Sequence, residues 1–308
     1  MSTGLVDPLA SVRSYIDAEK SANTRRAYAA DWADFQVWCE RVSCPVLPAA
    51  PIDVARYLAH LADGGLKTST IQRRTAAIRA IHKAAGLEPP TNAEGVKAVM
   101  RGIRRRLGKR QARAAPATAE LLGQAIERIP ATLAGLRDRA LLLIGFAAAL
   151  RRSELVALHV SDVTLHKKGL VLHIRASKTD QEGEGADIPV PRGGKLQPVA
   201  ALSTWLAAAE ITEGPLFRAV DRHGRVSRDA LSDRAVALIV KKVVSAARLS
   251  SCGFSGHSLR AGFVTSALEG DVDHFKIMRI TRHKKVDTLR VYDRRENGFD
   301  DHAGEDFL

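Results

Sequence analysis

The chain has 308 residues, and 47 Lys and Arg set against 34 Asp and Glu give a formal net charge of +13. Hydrophobic residues make up 45% and aromatics 5%, which fits a helix-rich globular chain of one large or two ordinary domains. An excess of cations this large points to a polyanionic partner, nucleic acid or an acidic membrane, and the longest apolar run, Ala140 to Leu150, is too short to span a bilayer. Met-Ser-Thr-Gly-Leu-Val-Asp-Pro at residues 1–8 has neither a basic segment nor an apolar core, so no signal peptide is expected.

Residues 1–107 read as helices. Asn23 or Thr24 is the expected cap of a helix running to about Arg41, with Tyr28, Trp32, Phe35 and Trp38 at helical spacing. Pro51 suits the first turn of a second helix ending near Gly64-Gly65. Thr68 opens a third, with Ile71, Ile78 and Ile81 on one face, and after Pro89-Pro90 a fourth spans about Asn92 to Leu107. The stretch 108–118, Gly-Lys-Arg-Gln-Ala-Arg-Ala-Ala-Pro-Ala-Thr, reads as a basic linker. No acidic residue falls between Val96 and Ala119, whereas Arg101, Arg104, Arg105, Arg106, Lys109, Arg110 and Arg113 all do. The usual fate of such a run is a solvated face, but its position between domains of a basic chain makes phosphate contact the expectation.

Residues 119–308 form the second expected domain. Helices are predicted at about 119–129 and 135–150, then short strands at Asp162–Leu165, Gly169–Ala176 and Asp187–Pro191. In the middle strand Val171, His173 and Arg175 alternate with Leu172, Ile174 and Ala176, the pattern of a half-buried strand. Further helices are predicted at about 198–209, 228–248, 258–269, 272–280 and 285–292. The expected fold class is therefore mainly α with a small antiparallel β-sheet, an α+β arrangement. Cys39, Cys44 and Cys252 are an odd set without framework spacing, which argues for free thiols in a reducing compartment. No second pair of ligands accompanies Cys39 and Cys44, so no structural metal is expected.

Four short motifs follow one another in the second half: Ala-Leu-Arg-Arg-Ser-Glu-Leu at 149–155, Ser-Lys-Thr at 177–179, Gly-His-Ser-Leu-Arg at 256–260, and Arg282-His283 with Tyr292 nine residues after the histidine. Each is weak alone; the order and spacing of Arg151, Lys178, His257, Arg260, His283 and Tyr292 together are specific. The chain resembles the tyrosine recombinase (phage integrase) superfamily over nearly its whole length, and Trp38-Cys39 with Gly-His-Ser-Leu-Arg-Ala-Gly-Phe-Val-Thr is most similar to Cre-type site-specific recombinases. Two motif positions depart from the family. Ala149 stands where Gly-Leu-Arg is common, and Thr281-Arg282-His283 stands where Leu-Gly-His is common.

The resemblance implies a helical core-binding (SAM-like) DNA-binding domain over 1–107, a linker over 108–118 and a catalytic domain over 119–308. It implies an enzyme, a DNA strand transferase working without cofactor, metal or ATP, and the chain carries neither a P-loop nor a carboxylate cluster for two-metal catalysis. Arg151 and Arg260 would clamp the scissile phosphate, for which the planar, permanently charged guanidinium is suited. Tyr292 would be the nucleophile, its phenol activated by cationic neighbours. His257 would accept the tyrosine proton and later return it. His283 would hydrogen-bond the phosphate, and Lys178 would protonate the leaving 5′ oxygen, with Lys167 and Lys168 as rivals by spacing. Glu154 matches an acidic position that orients the histidine and arginine, or is a plain partner of Arg151 three residues away.

The implied partners are double-stranded DNA carrying an inverted-repeat site and three further copies of the chain, forming a tetramer that passes through a Holliday junction. The implied place of work is the cytoplasm, at the nucleoid. The acidic segment after Tyr292, ending in Phe307-Leu308, would dock on a neighbouring protomer. Two alternatives remain open: a type IB topoisomerase-like enzyme, and a non-catalytic DNA-binding protein on the same fold.

Overall fold

The structure is a computed structural model that describes residues 21–108, 114–175, 185–247 and 250–292. Lys109, Arg110, Arg113, Lys178 and the segment after Tyr292 lie outside the described residues. The chain divides into two compact units, with the boundary between Gln111 and Ala112.

Among the described residues the first unit holds four helices: α1 (Ala22–Val42), α2 (Pro51–Asp63), α3 (Thr68–Ala84) and α4 (Glu94–Leu107), with a 3₁₀ turn at Pro90–Asn92 before the last. The cap of α1 is Ser21, not Asn23 or Thr24: its Oγ accepts from the Thr24 N–H at 3.3 Å, leaving the Asn23 side chain to accept from Arg26. Pro51 occupies the first turn of α2, where its missing N–H costs no helical bond. The apolar faces meet in a core of Phe35, Trp38, Tyr57, Leu58, Ile71, Ile78 and Met100. Phe35 sits between Trp38 and Tyr57, with ring centroids 6.3 and 4.9 Å away. A fully buried phenylalanine of this kind stabilises by about 2–3 kcal/mol. Cys39 is fully buried in the same core, and burial together with the neighbouring Cys44 pushes its thiol up to about 12, out of reach of redox chemistry at neutral pH. Cys252 is exposed.

The second unit runs α5 (Ala119–Ile126), α6 (Leu133–Ala147), α7 (Arg152–Ala157), β1 (Val163–His166), β2 (Gly169–Ile174), β3 (Ala186–Pro191), α8 (Pro198–Ala208), β4 (Arg218–Val220), β5 (Val226–Ala230), α9 (Asp233–Ala246), α10 (Ser258–Glu269), α11 (His274–Thr281) and α12 (Asp287–Arg290). The protein is thus mostly helical with small antiparallel sheets. The three-stranded sheet has order β1-β2-β3, with Leu172 opposite Val163 on one side and Ile188 on the other. Leu170, Leu172 and Ile174 are buried while His173 and Arg175 face solvent, as the alternation requires.

Two elements differ from the sequence reading. The helix expected from 228 begins at Asp233, because residues 226–230 pair with 218–220 as a second hairpin, and Ser232 caps the helix by accepting from the Ala235 N–H. The helix expected to reach 150 ends at Ala147, and a separate short helix, α7, starts after Arg151. The core of this unit centres on the near-continuously buried α6, which packs against α8 and α10. α10 lies hard against the segment that enters the unit: a Cβ on Gly262 would fall 1.8 Å from the Ala117 carbonyl oxygen, so only glycine allows this approach. An apolar cavity of about 500 Å³ is lined by Leu143, Phe146, Val190, Pro191, Phe263 and Ile280.

Candidate active site

Four short chain segments of the second unit converge on one site. The first is the break between α6 and α7. Ala148 and Leu150 are buried and Ala149 turns left-handed, with φ of 48°, so the chain reverses and presents Arg151 at the start of α7. Glu154, one turn later and only 5% exposed, reaches back to this start. Its Oε2 accepts from the Arg151 backbone N–H at 2.9 Å and its Oε1 from Arg151 Nη1 at 2.7 Å. One carboxylate therefore caps the helix and fixes the guanidinium.

The second segment is the start of α10. His257 is the residue before the helix and Arg260 sits in its first turn. Arg260 is 1% exposed. Its Nη1 donates to the Ala149 carbonyl at 2.7 Å, and its Nη2 donates to the Thr281 carbonyl. Burial, followed by repulsion from Arg151, lowers the pKa of this guanidinium, which remains cationic at neutral pH.

The third segment is the end of α11. Thr281 is fully buried, and its Oγ1 donates to the Ile277 carbonyl at 2.9 Å. The same oxygen lies 2.9 Å from His283 Nδ1, so with its own hydrogen committed it accepts the Nδ1 hydrogen. His283 Nε2, 3.1 Å from Arg260 Nη2, then accepts. Burial and the charge of Arg260 push His283 down to about 4, which keeps the ring neutral. In this tautomer His283 holds Arg260; donation to a phosphate requires a proton on Nε2.

The fourth segment carries Tyr292 just past α12. Leu289, Val264, Leu268 and Ile277 form a small core beneath it, and the Tyr292 N–H donates to the Leu289 carbonyl at 2.8 Å. The Tyr292 hydroxyl is 2.8 Å from His257 Nε2. Burial raises the phenol above its ordinary range, and Arg260 and Arg151 pull the other way without cancelling that rise. The cations expected to favour phenolate are in place, but the tyrosine stays protonated and needs a base. His257 has an open face to solvent, yet the protein packed behind its ring, then Arg260 and Arg151, lower its pKa. At neutral pH it is the unprotonated acceptor that the phenol requires.

Arg151, Glu154, His257, Arg260, His283 and Tyr292 are thus brought together. Among the described residues Glu154 bonds to no histidine; its other partner is Arg282, whose Nη2 donates to Oε2 at 2.7 Å. The sequence reading treated Arg282 only as a departure from the family motif. The signal was there in a cation placed where the family has glycine, directly before His283. Among the described residues there is no group of three or more His, Cys, Asp or Glu able to hold a metal ion.

In the first unit, Arg101, Arg104, Arg105 and Arg106 lie on α4. Arg101 is not without a counter-charge, because its Nη2 lies 2.6 Å from Glu94 Oε1, one carboxylate upstream of the acid-free window. Arg101 and Arg104 share a groove with Arg79 and Lys97. Among the described residues no helix is long and apolar enough to cross a membrane.

Residues 116–297 match the Phage integrase family, and residues 13–88 match the Phage integrase, N-terminal SAM-like domain. The chain is 41% identical over 294 residues to an integrase/recombinase xerD homolog of Selenomonas ruminantium, covering 94% of this chain and 86% of the relative. It is 27% identical over 280 residues to the recombinase cre of Escherichia phage P1, covering 85% and 80%. Among solved structures it is similar in fold to the XerH site-specific recombinase bound to a palindromic difH substrate in a post-cleavage complex, with a TM-score of 0.65 at 17% identity over 87% of this chain and 75% of that one.

Proposed function

The chain belongs to the phage integrase family of tyrosine recombinases, enzymes that cleave and rejoin DNA strands, and from that premise we propose that it recombines specific DNA sites through a covalent 3′-phosphotyrosine on Tyr292 and a Holliday junction. The observation that carries this reading is the 2.8 Å contact of the Tyr292 hydroxyl with His257 Nε2, beside the two arginines. In the cleavage step the Tyr292 oxygen attacks the scissile phosphorus as His257 takes its proton. Arg151 and Arg260 neutralise the charge gathering on the non-bridging oxygens. The bond from phosphorus to the 5′ oxygen breaks, and that oxygen leaves with a proton, the role assigned to Lys178. A 5′ hydroxyl from another strand reverses each step, returning the proton to Tyr292 and conserving the phosphodiester energy without ATP.

In this reading the first unit binds the duplex near the exchange point and the basic residues of α4 contact phosphates. The working assembly is four protomers on two duplexes, acting at the nucleoid. Its test uses a nicked suicide duplex made from the chain's own target, recovered by trapping covalent complexes on sheared DNA and sequencing the attached ends. The wild type is expected to give a slow, protease-sensitive band that survives EDTA, and Tyr292→Phe is expected to bind the half-site normally and give no band. An adduct of normal yield from the Phe variant overturns the assignment. Relaxation of a supercoiled circle by single protomers, with no strand exchange, would place the protein among topoisomerases.

A further inference from the structure

Arg282 breaks several local rules at once. It follows the last turn of α11 with φ of 58°, a left-handed conformation that disfavours any residue with a Cβ. Its side chain is 14% exposed and turned inward, with Nη2 2.7 Å from Glu154 Oε2. Nε and Nη1 are buried and have no hydrogen-bond partner among the described residues. It adds a third cation beside Arg151 and Arg260, and it shares Glu154 with Arg151. Each of these features is unfavourable alone, and such residues persist where the surrounding structure has a use for them.

Two uses are available. Arg282 could touch the phosphate itself, but its two unpartnered nitrogens are shut off from the surface, and its one engaged nitrogen faces Glu154. The other use is indirect. Glu154 must be ionised to hold the Arg151 backbone and guanidinium together. Burial works to protonate it; Arg282 first, then the Arg151 hydrogen bonds, outweigh burial and keep the carboxyl below its ordinary range. The neighbours of Arg282 serve the other arginine: the Thr281 carbonyl accepts from Arg260 Nη2, and His283 Nε2 stands against the same nitrogen. Three consecutive residues, 281–283, therefore fix both arginines, Arg260 directly and Arg151 by way of Glu154.

The geometry points to Arg282 as a positioning residue that sets the Arg151 guanidinium for strand cleavage by clamping Glu154 from a segment 128 residues away. This rests on the reading of Arg151 as a phosphate ligand.

The test is single-turnover cleavage of the suicide duplex by Arg282→Gly, Arg282→Lys, Glu154→Gln and the double variant Arg282→Gly/Glu154→Gln. Glycine suits the left-handed backbone, so Arg282→Gly removes the side chain without straining the turn. Arg282→Gly is expected to cleave about 10²-fold more slowly, the scale of a misplaced reacting group, while half-site binding stays within about twofold of wild type. Arg282→Lys, which keeps a charge opposite Glu154, is expected to recover most of the rate. In the Glu154→Gln background, removing Arg282 is expected to change the rate less than about threefold, because the relay is already cut. Wild-type cleavage by Arg282→Gly, or an equal loss with and without Glu154, overturns the inference. Should Arg282→Gly melt early, the lysine variant decides: recovery supports the relay, and a rate as low as that of Glu154→Gln overturns it. If wild type itself forms no adduct, the proposed function fails; if wild type cleaves and Arg282 is indifferent, only the relay does.

Discussion

Each unit sets a tyrosine beside arginines, Tyr57 buried and Tyr292 half-buried, and the two surroundings differ in how acids and cations are matched. In the first unit the Tyr57 hydroxyl donates to Asp34 at 2.6 Å and accepts from Arg74 at 2.9 Å, while buried Asp31 accepts from Arg73 Nε and Nη2, both at 2.9 Å. Two carboxylates face two guanidiniums, and the set is closed. Burial and the Asp34 hydrogen bond drive the Tyr57 phenol far above its ordinary range, so it is inert. In the second unit Tyr292 faces a neutral imidazole, and Arg151, Arg260 and Arg282 have Glu154 as their one acid in the contacts described above. There one carboxylate is shared between two of the guanidiniums, where in the first unit each has its own.

The comparison can be broken or sharpened in three ways. The largest expected effect is on chemistry. His257→Gln is expected to slow single-turnover adduct formation by about 10²–10⁴-fold, the usual contribution of a general base, and Tyr57→Phe to leave it unchanged; equal losses from both would erase the distinction. The base must be unprotonated, so wild-type cleavage should be complete above the His257 pKa and fall as the pH drops through it. Because that pKa is lowered, the fall belongs on the acid side of an ordinary histidine, and a rate already halved at neutral pH would contradict it.

The next effect is on stability. Asp31→Asn opens the closed set by removing one buried acid. It is expected to cost the first unit about 2–3 kcal/mol, below the usual figure for a fully buried pair because Arg73 is half exposed. Urea melting measures it, and an unchanged midpoint would show that the closed set contributes nothing. Ala149→Gly is the smallest. A left-handed alanine costs about 1–2 kcal/mol and glycine loses about 0.5–1 kcal/mol of that in chain entropy, so a gain of about 0.5–1 kcal/mol is expected in the same melts.

Local signals carried most of the elements. Pro51, Thr68 and the Gly64-Gly65 pair bound helices where expected, and the β2 alternation placed its buried face correctly. What was lost lies where local signals compete. Asp221 to Arg225 form a turn with Gly224 at φ of 79°, yet the following valine, serine and arginine also suit a helix start, and the helical reading absorbed β5. Ser21 was passed over as a cap because Asn23 and Thr24 are equally good capping residues two positions on.

At the site, the motifs named Arg151, His257, Arg260, His283 and Tyr292, which the fold gathers, and Lys178, which lies outside the described residues. They gave no hint that burial would outweigh the cations at Tyr292, since burial is a property of α10, α11 and α12 packed together. Arg282 was invisible for a plainer reason, because its partner is 128 residues away and no window of sequence contains both. Both family departures, Ala149 and Arg282, fall on left-handed residues, so the positions where glycine is common are positions where the backbone favours it.

The burial of Arg260 has a thermodynamic consequence. Ordering a free arginine side chain costs about 2 kcal/mol of rotamer entropy. Here the Ala149 and Thr281 carbonyls hold the guanidinium in one rotamer within the folded chain, so that loss is incurred on folding and not on DNA binding. A phosphate that reaches Arg260 meets a guanidinium already aimed, with an advantage of about 30-fold in local affinity over a mobile arginine. Loosening either carbonyl would therefore transfer the ordering cost to any encounter of Arg260 with an anion, in the proposed function the scissile phosphate, while returning part of the entropy to the folded protein.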